Sequence, residues 1–230
     1  MAIRPLEIPL QDAPVPSLGA LLDEPAAPAR PEVVLLAHGA GAPMESDFMA
    51  EVAAGLAAAG HAVLRFRYPY MERAHREGRR LPPDRMPRLE QAHRAALAML
   101  EELLPGRPLI LAGKSMGGRV SSHLAATGVD CAGLVFFGYP LHPPGKPERL
   151  RSEHFERVTA PSLFLQGSRD KLCDLDLLER ELRAYGGRHQ VEVIEEADHG
   201  FAVPKRTGLD GHDVRRALVE HARSWIAGLD

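Results

Sequence analysis

The sequence predicts an α/β fold built on a doubly wound, mostly parallel sheet flanked by helices. Three observations carry that expectation. Short apolar runs of strand length alternate along the chain with longer segments whose apolar residues recur at helical spacing. The runs Val33–Ala37, Ala62–Phe66, Pro108–Ala112, Gly133–Phe137 and Pro161–Gly167 are almost continuously apolar, as buried strands are. Several of these runs open into turns that suit chemistry: His38-Gly39-Ala40-Gly41, where a backbone N–H can be supplied, Ser115 within Gly113-Lys-Ser-Met-Gly117, and Asp170 shortly after Gly167.

Taken in order, Leu6 to Leu10 and Leu18 to Leu22 are turn-bounded runs that suit a hairpin at the sheet edge, where prolines are tolerated. Asp23 to Pro31, rich in Ala and Pro, reads as a connector. After the first buried strand, Ser46 or Asp47 caps a helix with Phe48, Val52 and Leu56 on one face, and Gly60 stops it. The strand Ala62–Phe66 leads into an arginine-dense segment, Tyr68 to Pro87, read as a long loop. A helix from Leu89 to Leu104 follows, ended by Pro105-Gly106, and then the Ser115 strand with its helix through Ala126. The remaining expectations are the strand Gly133–Phe137, a proline-stiffened loop at Tyr139–Pro147, the strand ahead of Asp170, a helix over Asp174–Tyr185, the strand Val191–Ile194, and a last helix from about Asp210 to Leu229. With 230 residues, 45% of them hydrophobic, the chain suits one core and is short for two. One domain over residues 1–230 is expected, with no insertion large enough for a lid domain.

Composition narrows the function. A net charge of -3 and a pI near 6.4 give no electrostatic case for nucleic acid. The segment Met1 to Leu10 is broken by prolines and an acid and lacks the apolar core of a secretion signal, and no run approaches the ~20 apolar residues of a membrane span. Cys131 and Cys173 have no metal-like spacing and read as two free thiols. These features predict a cytoplasmic protein, with no membrane contact. The oligomeric state, a homo-oligomer included, is left open.

The chemistry rests on the serine turn. A serine hydroxyl attacks only if it is held exposed beside a base, and a sharp strand-to-helix turn does this where the flanking positions are glycine. A chance match to Gly-x-Ser-x-Gly in a chain this long is expected about one time in ten, so the motif needs support. It comes from position: Ser115, Asp170 and His199 each lie just past the end of a predicted strand, in the order Ser, Asp, His. Asp170 is nearest its strand and is preferred as the orienting acid over Asp174, Asp176 and Asp198. The N–H groups of Ala40 and Met116 are the expected oxyanion donors, with Gly41 the rival to Ala40. Tyr68, Tyr70, Arg73, Tyr139 and His142 lie on long segments after strand ends, where ligands of open sheets bind, and are candidate pocket walls. The arginines from Arg73 to Arg85 either capture a carboxylate or phosphate on the substrate or form a solvated face. His38 reads as a turn residue and Lys114 as a packing or salt-bridge residue. The substrate is expected to be a small acyl compound, and no metal or organic cofactor is called for.

The segments His38-Gly-Ala-Gly41, Arg65-Phe-Arg-Tyr-Pro-Tyr-Met-Glu72, Pro82-Pro-Asp84, Gly113-Lys-Ser-Met-Gly-Gly118, Tyr139-Pro-Leu-His142, Gly167-Ser-Arg-Asp170 and Asp198-His199 together resemble the α/β-hydrolases related to dienelactone hydrolase. Within them the chain is similar to the branch that includes a testis-expressed protein and the hydrolase-like domain of a histone-acetyltransferase complex subunit. The Gly-x-Ser-x-Gly element is widely shared, whereas the Tyr-Pro-Tyr-Met-Glu and Tyr-Pro-Leu-His elements are narrower. Dienelactone hydrolase itself uses a cysteine where this chain has Ser115. The resemblance implies the α/β-hydrolase fold and a serine hydrolase acting on a small ester or thioester. The alternatives are a non-catalytic binding or scaffold protein on the same fold, and a small serine peptidase.

Overall fold

A computed structural model describes residues 2–11, 13–25 and 29–229. In chain order its elements are β1 (Ala2–Pro9), β2 (Ser17–Glu24), β3 (Val33–Ala37), α1 (Asp47–Ala58), β4 (Ala62–Phe66), α2 (Pro69–Glu77), α3 (Met86–Leu103), β5 (Leu109–Lys114), α4 (Met116–Ala126), β6 (Gly133–Phe137), β7 (Ser162–Gly167), α5 (Leu175–Leu182), β8 (His189–Ile194) and α6 (Gly211–Ala227). They build one sheet in the order β1-β2-β4-β3-β5-β6-β7-β8. The β1–β2 and β2–β4 pairs are antiparallel, and all the others are parallel.

Strand periodicity explains the two-sided core. Val33, Leu35 and Ala37 of β3 face the layer of α3, α4 and α5, whereas Val34 and Leu36 face α1 and α6. Every residue of β3, β4 and β6 is buried, so these runs cannot alternate apolar with polar. Chain order reverses at β3, which lies between β4 and β5, and this places the ends of β3 and β5 side by side at the switch point.

The hairpin β1–β2 forms at the sheet edge, and the outermost strand β1 carries Pro5 and Pro9. A buried ion pair fastens it inward. Arg65 of β4 donates to both carboxylate oxygens of Asp23 on β2, at 2.9 and 3.0 Å, and its third nitrogen donates to the Met44 carbonyl at 2.7 Å. Residues 26–28 of the predicted connector lie outside the described residues, and Asp23 and Glu24 at its start belong to β2.

The segment Tyr68 to Pro87 departs from the long loop expected of it, because it contains α2. Pro69 starts that helix at a position that needs no N–H, Glu72 and Arg76 pair one turn apart at 2.9 Å, and Gly78 ends it at φ 63°. At α1, Ser46 occupies the cap position without a side-chain cap bond. Asp174 caps α5 by accepting from the Leu177 N–H, and α6 opens on a reciprocal capping box between Asp210 and Asp213.

Candidate active site

Strand β5 and helix α4 meet at Ser115, whose φ of 50° and ψ of -114° fold the chain back sharply enough to present its hydroxyl. The neighbouring glycines are required by contact. A Cβ on Gly113 would meet the Gly118 nitrogen at 2.3 Å, and one on Gly117 would meet the Ala37 carbonyl oxygen at 2.4 Å. The turn is therefore wedged between its own helix and the end of β3.

Ser115 Oγ donates to His199 Nε2 at 2.8 Å, and His199 Nδ1–H donates to Asp170 Oδ2 at 2.7 Å. Three elements bring these groups together: the β5 turn, the β7 end and the loop after β8. Asp170 is nearly buried and its oxygens are fully engaged. Oδ2 also accepts from Gln166 Nε2 at 2.6 Å, and Oδ1 accepts from the Leu172 N–H at 2.7 Å. Asp198 is exposed, and its Oδ1 accepts from the Gly200 and Ala202 N–H groups at 2.8 and 2.9 Å. It shapes the His199 turn from outside, away from the imidazole.

Among the described residues, the N–H groups of Ala40 and Met116 have no acceptor. Ala40 sits on the loop after β3, and Met116 is the first residue of α4, where an unpaired N–H is intrinsic to a helix start. Two side chains hold that loop. Tyr70 O–H faces the Gly39 and Ala40 carbonyls at 3.3 and 3.2 Å. His38, wholly buried, donates from Nδ1 to the Gly39 carbonyl at 2.7 Å and accepts the Tyr68 N–H at Nε2 at 3.1 Å. Burial lowers its pKa to about 4, so it is neutral and its tautomer is set by those two bonds. It serves the turn, as expected. Gly41 is exposed and free of close neighbours.

The predicted pocket walls fare differently. Tyr68 and Tyr139 are wholly buried in the core and do not line a site. Their hydroxyls are engaged there, Tyr68 with His93 Nδ1 at 3.1 Å and Tyr139 with the Arg151 carbonyl at 2.8 Å. Tyr70 is wholly buried too, and its structural place is behind the Gly39–Ala40 turn. His142 is also buried, donating to the Pro143 carbonyl at 3.0 Å and accepting the Asp174 N–H at 3.2 Å, so both ring nitrogens are occupied. Arg73 pairs with Asp84 at 3.5 Å, Arg76 with Glu72 and Arg79 with Glu77. These three arginines answer acids of their own segment, which is the solvated-face arrangement.

Two contributors carried little sequence signal. Gln166 bridges the Tyr139 N–H, at 2.9 Å, to Asp170, and its only trace is a polar residue following the apolar run Leu163–Leu165. Lys114, half-buried, donates from Nζ to the His199 carbonyl and lies 4.9 Å from the Phe201 ring centre. Burial lowers its pKa to about 8, against the opposing pull of Asp170 and Asp198. Among the described residues it makes no ion pair within 4 Å; its partner is a backbone carbonyl. Both cysteines are free, with burial pushing Cys131 to about 12 and Cys173 higher still. Neither presents a ready thiolate.

Residues 30–227 match the family model described as an alpha/beta hydrolase domain. Among solved structures, the chain is similar to a dienelactone hydrolase from Anabaena variabilis, with 21% identity, coverage of 99% of this chain and 98% of that one, and a TM-score of 0.75. A serine hydrolase without a lid from Xanthomonas campestris gives 22% identity, coverage of 98% and 95%, and a TM-score of 0.73. A thermostable carboxyl esterase from Bacillus coagulans gives 15% identity, coverage of 100% and 99%, and a TM-score of 0.78. Among the described residues no helix is long and apolar enough to cross a membrane.

Proposed function

Because this chain belongs to the alpha/beta hydrolase domain family, we propose that it is a serine hydrolase that cleaves a small acyl ester or thioester through an acyl-enzyme. The observation that carries this reading is the unbroken hydrogen-bonded chain from Ser115 Oγ through His199 to Asp170. His199 Nε2 takes the serine proton as Oγ attacks the carbonyl carbon, and Asp170 holds the imidazole in the tautomer that leaves Nε2 free to accept. The tetrahedral oxyanion is received by the N–H groups of Ala40 and Met116, each worth about 3 kcal/mol on the scale of a single oxyanion donor. Protonated His199 then returns the proton to the leaving oxygen or sulfur. Water, deprotonated by the same nitrogen, releases the acid and restores Ser115.

No lid domain is inserted among the described elements, so the proposed site is open, and a small acyl substrate needs no cover to bind there. The test is covalent labelling with a fluorophosphonate. The protein should label at one site, Ser115→Ala should abolish labelling, and His199→Ala should slow it severely. A folded wild-type protein that does not label would favour a binding or scaffold role.

A further inference from the structure

Helix α4 carries a second cluster of polar side chains, about two turns beyond Ser115. His123 on this helix, with Glu153 and His154 ahead of the short 3₁₀ turn Phe155–Arg157, place one ligand-capable atom each within 4.8 Å of one another. The two imidazole rings lie 4.0 Å apart between centroids. Their hydrogen bonds fix which nitrogens are free. Ser122 Oγ gives its single proton to the Arg119 carbonyl at 2.8 Å, so at 2.7 Å from His154 Nε2 it accepts. Neutral His154 therefore keeps a bare lone pair on Nδ1, and that buried atom has no partner among the described residues. His154 is 1% exposed. His123 Nε2 is likewise buried and unpartnered, while its Nδ1 faces the Glu90 carboxylate at 3.8 Å.

We propose that His123, Glu153 and His154 form a binding site for a divalent transition-metal ion of the zinc class. Two imidazoles and one carboxylate suit zinc, nickel or copper, whereas magnesium and calcium prefer all-oxygen sets. The outer partners fit as well. Ser122 fixes the His154 tautomer, and Glu90 stands behind His123 as a carboxylate commonly stands behind a metal-bound histidine. Arg119 and Arg157 bring positive charge to the His154 side of the cluster. Those same arginines oppose a cation, and the Glu153 carboxylate answers them. Glu153 is exposed and His123 partly so, which leaves the ion a route from solvent. Bound there, it would clamp α4, which begins beside Ser115, to the segment that leads into β7 and Asp170.

The experiment titrates chelator-stripped protein with Zn²⁺ and separately with Mg²⁺ by calorimetry, and follows Tm. One Zn²⁺ per chain, a raised Tm and no response to Mg²⁺ are expected. His123→Gln and Glu153→Gln should each weaken Zn²⁺ binding by about tenfold or more, and the exposed position of Glu153 keeps the test valid if His123→Gln folds poorly. His212→Gln removes an exposed histidine paired with Glu51 and should leave affinity unchanged. No Zn²⁺ isotherm in the wild type overturns the proposal. So does an isotherm that both substitutions leave intact, which would put the ion on other histidines.

Discussion

Ser115 holds a backbone conformation that side chains other than glycine's rarely adopt, at a cost of order 1–3 kcal/mol. Replacing it with glycine relieves that strain. Ser115→Gly should therefore unfold at higher denaturant than Ser115→Ala, by about 1 kcal/mol, and both should be inactive; urea titration with an ester assay checks this. Ser115→Ala and His199→Ala should each lower turnover of an activated aryl ester by about 10⁴ to 10⁶, and Asp170→Asn by about 10⁴. Asp198→Asn should stay near wild type, because an amide oxygen can still accept the Gly200 and Ala202 N–H groups. A reversed ranking of Asp170→Asn and Asp198→Asn would transfer the orienting role to Asp198. Position after a strand was legible for Ser115, Asp170 and His199, since strand ends mark where a parallel sheet opens. The destinations of Tyr68 and Tyr139 were not. A tyrosine has an apolar body and a polar tip, so the same letters serve a pocket wall or a core with one hydrogen bond.

The arginine-dense segment shows what periodicity alone misses in an element. Its apolar content is too low to mark a helix face, yet Pro69 and Gly78 are start and stop signals, and the Glu72–Arg76 pair supplies support between them. Strand positions were legible because buried parallel strands are short, dense apolar runs, as β4 and β6 illustrate. How the hairpin is fastened was not, because Asp23 and Arg65 are 42 positions apart. That pair defines a test at the scale of the β2–β4 contact. Asp23→Ala should destabilise by about 3–5 kcal/mol, since it leaves the Arg65 guanidinium buried and uncompensated. Asp23→Val with Arg65→Met should recover most of the loss. A double-mutant cycle in chemical denaturation measures both, and additive losses would mean that the two charges do not depend on each other.

For the molecule as a whole, we propose that the sheet and both helix layers unfold as one domain, seen as a single transition coincident by fluorescence and far-UV circular dichroism. Its acid limb follows from buried histidines, among them His38, His93 and, lowered to the same extent as His93, His154. Burial lowers His38 to about 4 and His93 to about 3, both below the ordinary value of 6.5. Between those limits the unfolded chain binds more protons than the folded one, so stability is full above pH 6.5 and declines as pH falls toward 4 and 3. Each histidine adds a slope of up to about 1.4 kcal/mol per pH unit within its window. Urea midpoints should fall between about pH 7 and pH 5, and His93→Gln should flatten that fall. An unchanged slope would remove His93 from the account. The two rims of the sheet differ in kind. On β1, Pro5 and Pro9 lie four residues apart, so they fall on the same side of the strand; their nitrogens face outward because a proline cannot donate to β2. That rim has lost donors that an added strand would need, whereas β8 has no proline and lines the opposite rim. An added strand would meet a broken row of donors on β1, where only Ile3 and Glu7 keep an outward N–H beside the prolines, and an unbroken row on β8. The two rims therefore differ in what they offer a neighbouring chain, and end-to-end stacking of sheets meets its weaker hydrogen bonding at β1.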